Sequence, residues 1–186
     1  MCGLSIETNP FTFTFTDSKD DDNVLVTTKN SHFLMTDKYI QLDLQLPSQR
    51  IYGLGERQHQ FTIGEGTWTM WANDNVAGYD TGNGGQSGHG VHPFALVQSK
   101  QQGVYFGVFF RNSNAQSPIV VHNDDGTSVL SYVTTGGNIE IYFFWKGTAK
   151  QIISQYQNFV GKPNLPPFWS LGWHAGSKSY KSLTAI

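Results

Sequence analysis

Between residues 68 and 80 the chain sets three large aromatics, Trp68, Trp71 and Tyr79, beside two carboxylates, Asp74 and Asp80. Aromatic faces pack against the apolar faces of sugar rings, and a carboxylate accepts two hydrogen bonds from neighbouring hydroxyls. The composition therefore suits carbohydrate binding. An aromatic pair buried beneath a loop with solvated aspartates has the same composition, and both readings stand at this point. The surrounding stretch, residues 51–90, is the least regular of the chain, with six glycines in the 13 residues from Gly78 to Gly90. Such a loop is either functional or a plain flexible surface loop.

Other chemistries find less support. The glycine run lacks a following Gly-Lys-Ser/Thr and leads into a strand, so it does not cradle phosphate. His59, His89, His92, His122 and His174 are scattered, without the three-to-four-residue helical spacing of a zinc site, and are expected to be satisfied polar groups. Asp20-Asp21-Asp22 and Asn123-Asp124-Asp125-Gly126 read as hairpin tips, since calcium loops need ligands at alternate positions around a glycine turn. Cys2, the single cysteine, has no partner for an internal disulfide, and a reactive thiol needs a structured electropositive setting. No metal or cofactor is expected.

The elements that would position these residues are mostly strands. Phe11, Phe13 and Phe15 alternate with threonines in FTFTFT, and Ile40, Leu42, Leu44 and Leu46 alternate inward against Gln41, Asp43 and Gln45 in YIQLDLQL. From residue 91 onward VHPFALVQ, GVYFGVFFRN, PIVVH, SVLSYVTT and NIEIYFFW follow one another across Gly, Asn and Asp turns, the spacing of an antiparallel sandwich. One helix is predicted. Thr148 caps it, Gln151 completes a capping box, and Ile152, Ile153, Tyr156, Phe159 and Val160 form its apolar stripe. Gly161 then stops it, with Pro163 beyond.

Composition agrees with a β-rich globular chain: 186 residues with 20 glycines and only 14% charged residues. That length allows one domain, or one domain with part of another. The net charge of −2 without any basic run excludes a nucleic-acid partner. No stretch approaches the roughly 18–20 apolar residues of a membrane span. MCGLSIETNP lacks a signal-peptide layout and no Asn-x-Ser/Thr acceptor occurs.

The order of several stretches carries more than any one of them. Tyr52-Gly53-Leu54-Gly55-Glu56, Trp68 to Asp74, His92-Pro93-Phe94, Asn112-Ser113-Asn114-Ala115, Gly136-Gly137 and Leu165-Pro166-Pro167 to Tyr180 resemble the family 31 glycoside hydrolases, the α-glucosidase group. The resemblance runs from about Pro10 to the last residue. It implies a mainly β fold: an antiparallel, galactose mutarotase-like β-sandwich, incomplete at its N-terminus, followed by one helix and the start of a (β/α)8 barrel. The implied boundaries are 1–147 for the sandwich, 148–164 for the connecting helix and linker, and 165–186 for a truncated barrel start. Residues 168–174 would be barrel strand one, with barrel helix one from Ser182. By position, Asp74 would bond sugar hydroxyls and orient substrate, with Trp68 and Trp71 as the other substrate-binding residues. Two departures stand out. Gly176, Ser177 and Lys178 occupy a stretch where the family carries an arginine, and Gln116 stands where an apolar residue follows Asn-Ser-Asn-Ala.

The family is retaining, which requires a nucleophilic carboxylate and an acid/base carboxylate about 5–5.5 Å apart. The resemblance places both on later barrel segments. Glu56 with Asp74, or Glu65 with Asp80, would be replacement pairs, although Glu56 sits in a motif shaped by Gly53 and Gly55. Three functions follow: the N-terminal region of an α-glucosidase-like hydrolase, not catalytic by itself; a non-catalytic structural subunit of a larger assembly; or a stand-alone sugar-binding module. The expected partners are an α-linked glucoside or oligosaccharide and another polypeptide covering Trp169, Trp173 and the sheet edge. The compartment is intracellular if Met1 is the true start, and lysosomal or secretory if the chain is part of a longer enzyme.

Overall fold

The computed structural model describes residues 2–17, 23–57, 59–71, 90–174 and 176. The Asp20–Asp22 run and the helix expected from Ser182 lie outside the described residues. The chain begins with a hairpin of β1 (Gly3–Thr8) and β2 (Phe11–Thr16), continues through β3 (Val24–Thr27), and forms a second hairpin of β4 (Phe33–Thr36) and β5 (Tyr39–Leu46). After β6 (Ile51–Gly53) and the two-residue β7 (Gly66–Thr67) come β8 (Phe94–Gln98), β9 (Tyr105–Phe110), β10 (Ile119–His122), β11 (Ser128–Thr134) and β12 (Ile141–Gly147). The helix α1 (Ala149–Val160) follows. All described pairings are antiparallel, in an eight-stranded sheet ordered β1-β2-β3-β5-β11-β10-β7, with β4 also on β5, and a four-stranded sheet ordered β12-β9-β8-β6.

Alternation in the strands builds the core between the sheets. Leu42, Leu44 and Leu46 of β5 and Leu130 and Tyr132 of β11 meet Phe106, Val108 and Phe110 of β9, all buried. Phe110 stacks on Tyr132 at 3.4 Å between ring centroids, and burial pushes the Tyr132 hydroxyl well above its ordinary range while that hydroxyl donates to the Pro93 carbonyl.

The smaller sheet is apolar on both faces, which explains why YFGVFF does not alternate. Its second face carries Phe94, Leu96, Phe109 and Phe144, and α1 closes it with Ile152, fully buried, and Tyr156, stacked on Phe94. Gly107 permits this approach. A Cβ there would lie 2.6 Å from the Phe94 ring and 3.0 Å from Ile152. The capping box of Thr148 and Gln151 forms as expected, and Gly161 ends the helix.

Several expectations change. Asp43, assigned to the outward face of β5, is 4% exposed and is held by His32, Gln41 and Ser131. Burial raises its pKa, but hydrogen bonds from Gln41, Ser131 and His32 outweigh this and hold it below the ordinary carboxylate value. Phe11 does not join the core with Phe13 and Phe15; it is exposed at the hairpin and touches Phe33. One strand precedes FTFTFT: β1 pairs along its whole length with β2, although all but its first residue are exposed. Residues 168–174 were expected to form a strand. Phe168–Leu171 instead winds into a 3₁₀ turn held by Ser170 N to Pro167 O and Gly172 N to Trp169 O. No strand lies beside it among the described residues, so its backbone groups turn to local partners.

Candidate functional site

The site is built at the exit of β6. Gly53, Leu54 and Gly55 have φ of 105°, 59° and 102°, three successive left-handed residues that reverse the chain. Glycine is required at 53, where a Cβ would sit 2.4 Å from the Phe94 carbonyl oxygen. Leu54, a non-glycine in this region, is held by complete burial of its side chain and by its N–H donating to that same carbonyl at 3.0 Å.

This turn aims the next two side chains at the described residues on either side of Asp74 in the chain. The Glu56 carboxylate accepts the Gly90 N–H at 2.7 Å, and the Glu56 N–H donates to the Gly90 carbonyl at 3.3 Å. The Arg57 guanidinium donates to the carbonyls of Leu54 (3.1 Å), Trp68 (3.2 Å) and Thr69 (2.6 Å), and lies 5.6 Å from the Trp68 ring. Burial lowers the Arg57 pKa from its ordinary value, while an arginine surrounded by acceptors stays charged. Glu56 and Arg57 together clamp residues 68–69 and 90.

The two tryptophans part company. Trp68 is 3% exposed, its indole N–H donating to Gly64 O at 3.0 Å with His59 against its ring at 4.9 Å, whereas Trp71 is 58% exposed. In extended chain, side chains alternate, so a spacing of three puts Trp68 and Trp71 on opposite faces. Met70 confirms the parity, being 1% exposed. Trp68 therefore offers no free ring face to a sugar and anchors the stem instead. Asp74, Tyr79, Asp80 and His89 lie outside the described residues.

The replacement carboxylates have structural partners: Glu56 holds Gly90, and Glu65 accepts the His122 N–H at 2.9 Å. No group of three or more potential metal ligands occurs among the described residues. His122 meets Ser128, and His174 meets the Ser170 carbonyl, as satisfied polar groups should. His59 differs, because its buried Nδ1 has no partner among the described residues. Gln116 is 2% exposed; its backbone bridges Met70 and Thr134, its amide donates to Asn112 O at 2.5 Å, and its Oε1 has no partner among the described residues. An apolar side chain would leave no such orphan.

Sequence reasoning treated the Gly53 to Glu56 motif as a turn and passed over Arg57. The available signal was a Glu-Arg pair directly after Gly-x-Gly at a strand end, where a fixed backbone aims long polar side chains. A polar groove beside Asn112–Asn114 was also passed over, since its residues are brought together from three separate turns.

Comparison with known proteins adds the following. The chain is 30% identical over 186 residues to intestinal sucrase-isomaltase of Homo sapiens, covering 98% of this chain and 10% of that protein. It is 35% identical over 164 residues to lysosomal alpha-glucosidase of Mus musculus, covering 88% of this chain and 16% of that protein. The chain thus spans about a tenth to a sixth of the length of these relatives. The cycloalternan-degrading enzyme from Trueperella pyogenes, solved in complex with cycloalternan, superposes with a TM-score of 0.56 at 13% identity over 87% of this chain and 26% of that one, a likeness of fold. The family model described as glycosyl hydrolase 31 N-terminal galactose mutarotase-like domain matches residues 3–117. With more than half of its length matched and the mutarotase-like sandwich observed, the chain belongs to the N-terminal domain family of the family 31 glycoside hydrolases.

Proposed function

We propose that this chain is the substrate-orienting region of an α-glucosidase-type hydrolase, holding Asp74 and Trp71 toward an α-linked glucoside while carboxylates on another stretch of polypeptide perform the reaction. The observation that carries this reading is the double clamp. Glu56 and Arg57 bind the backbone at both stems of the Asp74 loop, and Trp71 emerges exposed one residue after buried Met70. A loop fixed at its stems loses less entropy on ligand binding than a free one. The described carboxylates lend no support to catalysis by the chain alone, since Glu56 and Glu65 are committed to backbone N–H groups.

The 165–173 segment supports the need for further polypeptide. Leu165, Phe168, Trp169, Leu171 and Trp173 are all exposed, Trp173 at 93%. Apolar side chains in such density mark a surface that something covers. In this reading residues 168–174 become barrel strand one once neighbouring strands supply backbone partners.

Isothermal titration of the chain with maltose, beside Asp74→Ala, tests the binding role. A measurable heat that Asp74→Ala abolishes is expected, and equal heats for the two proteins would remove Asp74 from the site.

A further inference from the structure

A groove of about 710 Å³ runs along the ends of β9 and β12, beside residues 91–93 where the chain leaves the clamped stem. This volume falls within the roughly 300–1,000 Å³ of small-molecule sites. Its polar wall is formed by Arg111, Ser113, Asn114, Asn138 and Glu140, its apolar wall by Phe109 and Tyr156 with Val91 and Pro93. We infer that this groove is a second binding subsite for a neutral sugar unit of an α-glucan, apart from Trp71 and Asp74.

Three features carry the inference. The first is charge balance. Arg111 Nη1 donates to Glu140 Oε1 at 3.1 Å, and the Tyr142 hydroxyl donates to the same oxygen. An anion entering the groove meets Glu140 and a cation meets Arg111. A neutral hydroxyl suits both, donating to the carboxylate and accepting from the guanidinium. The second is a prebuilt wall. Asn112 donates to the carbonyls of Gly136 (2.9 Å) and Asn138 (3.0 Å) and accepts the Asn114 N–H at 2.8 Å, which locks the 112–114 turn onto the 136–138 turn. Gly137 is needed for that contact, because a Cβ there would fall 2.6 Å from Asn114 Nδ2. The third is spare hydrogen-bonding capacity. The Ser113 hydroxyl and the Asn114 side-chain amide face solvent with no hydrogen-bond partner among the described residues, whereas the side chain of neighbouring Asn112 is engaged at both ends.

Only the choice of α-glucan rests on the proposed function; the preference for a neutral polyol rests on the groove. Titration of the uniformly ¹⁵N-labelled chain with maltotriose, followed residue by residue by NMR, tests it. Saturable shifts are expected at the amides of Asn112–Asn114 and Gly137–Asn138, persisting in Asp74→Ala. In the double variant Arg111→Met with Asn114→Ala, affinity at those amides should fall about tenfold, as expected for removing hydrogen bonds to a ligand. Arg111→Met alone, at an exposed side chain, carries the test if the double variant does not fold. Absence of shifts there at millimolar maltotriose, or shifts unaltered by Arg111→Met, overturns the inference. Shifts confined to the amides of Trp71 and Gly90 and abolished by Asp74→Ala would also overturn it, while leaving the proposed function standing.

Discussion

The helix α1 and the segment Leu165–Trp173 are neighbours in the chain and both rich in large apolar side chains, yet their fates differ. In α1 part of the apolar stripe finds the outer face of the small sheet, where Ile152 is fully buried and Tyr156 stacks on Phe94, while Ile153, Phe159 and Val160 stay partly exposed. In the later segment Trp169 meets only the His174 ring among the described residues, and both Trp169 and Trp173 stay exposed. The helix closes its backbone hydrogen bonds within itself and needs a surface only for its side chains. A strand needs partners for both. A helical pattern can therefore be realised with one neighbour, and an alternating pattern without adjacent strands cannot.

Four variants would break or sharpen this contrast. Ile152→Ala should cost about 2–5 kcal/mol in urea unfolding, the range for truncating a fully buried isoleucine. A value near zero would mean that α1 is not held by its apolar face. Gly107→Ala should cost about 1–3 kcal/mol by forcing the Phe94 ring and Ile152 away from the sheet, measured by the same unfolding midpoint. Thr148→Ala should cost about 1 kcal/mol through loss of the cap, visible as a small fall in melting temperature. The smallest effect belongs to the double change Trp169→Ser with Trp173→Ser, within about 0.5 kcal/mol for the chain alone. A large loss of stability there would show that these indoles already pack on the chain, contrary to the comparison.

The same distinction separates what was legible in the sequence from what was not. The helix was readable to its caps because each cap acts locally, Thr148 with Gln151 at one end and Gly161 with Gln157 at the other. The bounds of β5 were readable too, through strict alternation of Ile40, Leu42, Leu44 and Leu46. The role of Asp43 was not, because two of its partners, His32 and Ser131, come from outside β5. Trp68 and Trp71 looked like one aromatic pair, although their spacing of three in an extended segment already places them on opposite faces.

Short-range chemistry thus belongs to the sequence: helix caps, strand alternation, the left-handed turn at Gly53 to Gly55 and the family motifs in their order. Tertiary structure alone decided which surfaces are covered. It buried Trp68 and exposed Trp71, set Glu56 against Gly90 and Arg57 against residues 68–69, and brought Glu140 to Arg111 and Asn114 to line a groove. The physical reason is reach. Caps and turns are settled by bonds spanning a few residues, whereas Glu56 meets Gly90 across 34 positions and Arg111 meets Glu140 across 29, and no local pattern encodes which distant segment will arrive.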